Sequence, residues 1–67
     1  MKVEDIIEQA TLDSIHEAAL TIVHENDEAS AEELRLLCRT AARRLRLTNL
    51  ERAYMQRFIR EELTLSH

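Results

Sequence analysis

The sequence predicts an all-α protein, a three- to four-helix bundle completed by dimerisation. Three observations carry this. The 67 residues contain no glycine and no proline, which removes the usual means of making hairpins, tight turns and phosphate-cradling loops. The residues used instead, Ala, Leu, Glu, Arg, Gln and Met, are the strong helix formers. Apolar positions then recur three and four apart along nearly the whole chain, the period of a helix with one buried face.

Size sets the expectation of a dimer. A chain this short buries only roughly 60% of the surface its unfolded form exposes, so small domains lean on disulfides, metals or association. The single cysteine, Cys38, excludes an internal disulfide and suits a buried helix position in a reducing compartment. His16 and His24 have no spacing that would share a metal with Cys38, so both read as surface histidines, and neither metal nor cofactor is expected. Self-association is the support that remains, for a single domain over residues 1–67.

The elements follow in order. Val3, Ile6, Ile7 and Ala10 mark a short helix over residues 3–10. Leu12, Ile15, Ala19, Ile22 and Val23 mark a second over 12–25. At about 100° per residue the two stripes point nearly opposite ways, so the chain should break near Ala10–Thr11, with Thr11 as the new N-cap. The segment HENDEAS (24–30) ends the second helix. Ser30 and Glu33 then have the spacing of a capping box, and Glu32 and Glu33 suit the positive end of the helix dipole. The third helix runs over 31–46 and buries Leu34, Leu37, Cys38, Ala41 and Leu45. LTNLE (47–51) repeats the signal, with Thr48 or Asn49 as cap, and opens a helix over 50–63 that buries Leu50, Tyr54, Met55, Phe58 and Ile59. One continuous bent helix from 30 to 64 is the alternative. The shared core draws on Leu12, Ile15, Ile22, Leu37, Leu45, Tyr54 and Phe58.

Charge is divided along the chain. Residues 1–33 carry one base, Lys2, against ten acids, while residues 34–67 carry eight arginines against three acids; the sum is −4. Arg35, Arg39, Arg43 and Arg46 fall at i, i+4, i+8 and i+11, a single strip on the third helix away from its leucines. Like charges at i,i+4 repel only slightly, so the strip reads first as an ordinary face that is solvated or paired with acids of the same chain, and then as a contact for an acidic protein partner or for phosphates. An acidic protein partner is preferred over nucleic acid, because net charge is negative and the two aromatics, Tyr54 and Phe58, sit on the apolar face rather than among the arginines. A second basic set, Arg52, Gln56 and Arg60, lies along the last helix, and Arg and Gln are the residues that read guanine and adenine edges. It is the face a DNA-binding protein would use.

Other classes fall away. MKVEDIIEQA has no apolar signal-peptide core, and no run approaches the ~18 apolar residues of a membrane span; a cytoplasmic bacterial protein without membrane contact is expected. Ser14, Ser30 and Ser66 have no partners for a triad, no carboxylates pair in an apolar setting, and a bundle this small rarely encloses a substrate pocket. No enzymatic activity and no catalytic residues are expected.

The stretch EELRLLCRTAARRLRLTNLERAYMQRFIREEL (32–63), preceded by SIHEAALTIV, resembles the AriR/YmgB and YcgZ family of short biofilm and two-component connector proteins in its LLCR segment, helix order and spacing between stripes. A fainter likeness joins SAEELRLLCRTAARRL (30–45) to the third helix of Hha-type nucleoid modulators. The first resemblance implies a small helical dimer that regulates gene expression through a protein partner. It carries over no individual site residues. The expectation is therefore a small bacterial regulatory or adaptor protein acting by protein–protein binding, with a DNA-binding regulator and a phage-type inhibitor or secretion chaperone as alternatives.

Overall fold

The chain forms four helices, two of whose boundaries differ from those that periodicity and capping residues suggest. A computed structural model describes residues 2–26 and 28–65, and for Val3 the backbone alone. The expectations for the Val3 side chain and for Ser66 lie outside the described residues. The elements are α1 (Val3–Ile6), α2 (Gln9–Glu25), α3 (Ala31–Arg44) and α4 (Asn49–Leu65), with no strand among the described residues.

The first break comes earlier than the apolar stripes suggest. It falls at Ile7–Glu8, not at Ala10–Thr11. Glu8 takes extended angles (φ −59°, ψ 141°) and caps α2 without a side-chain bond, and Leu12 N–H donates to its carbonyl at 2.9 Å. Ile7 is the reason. It is buried while Ile6 is 58% exposed, and a turn directly after Ile7 lets it enter the core before the stripe of α2 begins. Thr11 then lies inside α2. That stripe behaves as its spacing requires, with Leu12, Ile15, Ala19, Ile22 and Val23 all buried. At the far end Asn26 Nδ2 donates to the Ile22 carbonyl at 3.0 Å, satisfying one of the carbonyls a helix end leaves open.

The Ser30 hydroxyl accepts from Glu33 N–H at 3.2 Å and starts α3; among the described residues the Glu33 carboxylate makes no return bond. The start of α4 has both halves of the box. Glu51 N–H donates to Thr48 Oγ1 at 3.2 Å, and Thr48 N–H to Glu51 Oε1 at 2.8 Å, so Thr48 is the cap and α3 and α4 are separate helices.

Between them α3 ends at Arg44, short of residue 46, in a turn that normally uses glycine. Leu47 N–H reaches back to the Ala42 carbonyl at 3.0 Å and Arg46 N–H to that of Arg43 at 3.1 Å. This is the Schellman pattern. It places Arg46 in the left-handed region, at φ 56°, where a Cβ costs roughly 1–2 kcal/mol. The half-buried Leu47 packs on the core just beyond it, which holds the turn closed.

The helices α2, α3 and α4 pack against one another in all three pairs, most extensively α2 on α4. The largest fully buried side chains are Ile15, Cys38 and Met55, one from each helix. On α3 the buried line is Leu34, Cys38 and Ala42. Leu37 and Leu45, expected in the core, are instead 36% and 39% exposed. The small Cys38 and Ala42 side chains let the neighbouring helices approach along that line, which turns the larger leucines outward. Leu50 is also exposed, because it lies about 140° around α4 from Met55. Tyr54 and Phe58 are half-buried at the edge of the core. The radius of gyration is 11.3 Å, against about 11 Å for a packed domain of this length, so the four helices form a compact globule from one chain.

Replacing Arg46 with glycine should raise stability by roughly 0.5–1 kcal/mol, the relief of the left-handed strain less the entropy glycine adds to the unfolded chain. Thermal unfolding should show a midpoint higher by a few degrees; an unchanged or lower midpoint would mean that the Arg46 side chain contributes more than its backbone costs.

Candidate protein-docking groove

The four-residue joint between α3 and α4 lays the N-terminal half of α3 beside the C-terminal half of α4. Between them runs a shallow groove of about 150 Å³. Its floor is apolar: Leu34 and Cys38 from α3, Ile59 and Leu63 from α4. Its rim is cationic and polar, formed by Arg35 on one side and by Gln56 and Arg60 on the other. Two residue sets read separately in the sequence, one on each helix, therefore contribute to one site.

The remaining members of each set lie around it. Arg39 and Arg43 continue from Arg35 along the exposed side of α3. Arg46 does not; it lies past the helix end in the left-handed turn, so the strip on α3 has three residues rather than four. Arg52 is near enough to Cys38 for its positive charge to act on the thiol, which puts Arg52, Gln56 and Arg60 on the flank of α4 that faces α3. The position opposite the core belongs to Arg57 and Glu61, joined by a 3.2 Å ion pair with both side chains largely exposed. An exposed i,i+4 pair contributes only a few tenths of a kcal/mol, but it places a carboxylate on the outermost line of α4.

Among the described residues no carboxylate of residues 1–33 pairs with an arginine of residues 34–67; the ion pair that forms lies within α4. Among the described residues the basic rim is therefore not neutralised by an acid of the first half.

Burial pushes the Cys38 thiol above its ordinary value of 9.0, and the Arg52 charge opposes this more weakly. A nucleophilic cysteine needs the opposite balance, so Cys38 acts here as a packed, weakly polar floor. Among the described residues no group of three or more His, Cys, Asp and Glu side chains converges in a way that could hold a metal ion, and no helix is long and apolar enough to cross a membrane.

A second cluster lies between α2 and α4. His16 Nε2 and the Tyr54 hydroxyl share a 2.8 Å hydrogen bond, and the imidazole lies 4.6 Å from the Phe58 ring, centroid to centroid. His16 is thus half-buried and structural rather than a surface histidine; His24 is exposed. The spacing of Tyr54 and Phe58 signalled an apolar face, but nothing in the sequence linked it to a histidine 38 residues earlier. Burial, followed by the nearby Glu4 and Glu61 carboxylates, raises the Tyr54 hydroxyl above its ordinary 10.0.

No family model matches the chain, and neither a curated protein nor a solved structure is significantly similar to it.

Both raised groups are neutral acids that the fold keeps protonated. Their contribution to stability is complete below about pH 9, where the unfolded thiol is also protonated. It is lost as pH rises through the folded-state values, because the unfolded chain ionises first. Urea unfolding should therefore give a free energy that falls above pH 9, and the Cys38→Ala chain should lose the first part of that fall. A free energy that stayed level across this range would contradict the burial of both groups.

Proposed function

We propose that this protein is a small cytoplasmic bacterial regulator or adaptor, self-associating as a homodimer, that works by docking another protein and has no catalytic chemistry of its own. The observation that carries this reading is the α3–α4 groove: an apolar floor between arginines that, among the described residues, no acid of the first half of the chain pairs with. That combination suits an acidic amphipathic partner, whose apolar side chain fills the floor while its carboxylates meet Arg35 and Arg60. Recognition of a helix in a groove uses the same division between apolar anchor and charged rim. Arg39 and Arg43 extend the positive field and steer the approach.

DNA is the competing ligand. The net charge of −4 and the Arg57–Glu61 pair on the outermost line of α4 oppose it, since a carboxylate there would meet phosphate or base edges.

Reversing the rim with Arg35→Glu and Arg60→Glu should leave the circular dichroism spectrum intact, because both side chains are exposed. Affinity for the cognate protein should fall by roughly tenfold or more, the scale of charge reversal at a docking rim. Equal retention of the partner by the reversed chain would refute the groove. Retention of duplex DNA by the wild-type chain, falling steeply with salt, would replace the proposal with the DNA-binding one.

A further inference from the structure

The segment around α1 has the chemistry the groove calls for. Asp5, Ile6 and Glu8 are exposed, and Ile6 leaves 58% of its surface in water. Even with Lys2 counted, residues 2–8 carry a net charge of −2. Ile7 is buried and anchors the segment to its own bundle, and Asp5 accepts from Lys2 N–H at 3.2 Å. The arm is therefore held in place while it presents one aliphatic side chain among carboxylates.

It cannot fill its own groove. Glu4 acts on Tyr54, which places α1 on the Tyr54 side of α4. Gln56 lies about 160° and Arg60 about 120° around the helix from Tyr54, and the groove opens there. The arm also leaves α2 at its start, whereas the groove lies beside the end of α4.

We propose that the α3–α4 groove of one copy receives the α1 arm of a second copy, with Ile6 on the floor formed by Leu34, Cys38, Ile59 and Leu63, and Asp5 and Glu8 against Arg35 and Arg60. This rests on the groove being a protein-docking site and adds that the chain is its own first ligand. Self-docking and partner docking then exclude each other, so an acidic partner must displace the arm.

The test uses the full chain and two sets of substitutions. Asp5→Asn with Glu8→Lys turns the arm from net −2 to +1 and keeps an acceptor at position 5 for Lys2 N–H. Arg35→Glu with Arg60→Glu reverses the rim. Light scattering from low micromolar to near-millimolar concentration should show the wild-type chain passing from one copy to more than one. Each variant alone should remain a single copy, and an equimolar mixture of the two should associate again, because each arm then faces a groove of opposite charge. Ile6→Ser, which alters only an exposed side chain, should weaken wild-type association roughly tenfold or more through loss of the apolar anchor. A wild-type chain that stays a single copy throughout overturns the proposal, as does association that survives either set of charge changes or a mixture that fails to associate. Partner binding separates this failure from failure of the groove: the arm variant keeps an intact rim and retains the partner even where self-docking is wrong, while the rim variant loses it.

Discussion

Everything in this bundle depends on one meeting point, where Ile15 of α2, Cys38 of α3 and Met55 of α4 are closed off from water. A domain of 67 residues has a small core, and these three side chains, with Ala19, Ile22, Val23, Leu34 and Ile59 around them, make up its continuous buried cluster. A cysteine at this point is a size constraint. It is small enough for α3 to settle close to its neighbours, and its thiol is only weakly polar. The close approach fixes the rotation of α3, and that rotation has two consequences. It brings Arg35 to the edge of the α3–α4 groove, and it leaves Leu37 and Leu45 at the surface.

The second constraint is the missing glycine. With neither glycine nor proline available, the joint between α3 and α4 and the start of α3 are made by capping side chains and by one residue held against its preference. Thr48 and Glu51 cap α4 reciprocally, and Ser30 caps α3. The turn between those helices needs a left-handed residue, and the chain uses Arg46. This turn sets how α3 lies along α4, so the shape of the groove follows from a backbone position that an arginine occupies at a cost.

Features that belong to one helix at a time were legible in the sequence. The all-helical class, the stripe of α2, the Ser30 cap and the break before α4 each depend on spacing within a few residues. What depended on two helices was not. Leu37 and Leu45 are larger and more apolar than Ala42, so periodicity alone favours them; the choice of Ala42 reflects how closely α3 can approach its neighbours, which is a property of the pair. The break at Ile7–Glu8 was misplaced for a related reason, since the stripes show that a turn is needed but not which isoleucine the core will take. The bond between His16 and Tyr54 spans two helices and had no local signal. The candidate site was half legible: both cationic sets could be read, but that Arg35, Gln56 and Arg60 border one groove depends on the turn at Arg46.

The charge division now has a structural meaning. If the acidic first half existed to neutralise the basic second half within one chain, ion pairs would cross between α2 and the arginines of α3 and α4. Among the described residues none does. The geometry explains this, because the faces of α2 and α3 that meet are apolar and their charged faces point away from each other. In so small a bundle nearly every charged residue must stay at the surface, where water and salt screen it, and a charge left there costs the fold little. Among the described residues no charged side chain is buried, so the charges of both halves are carried where solvent reaches them.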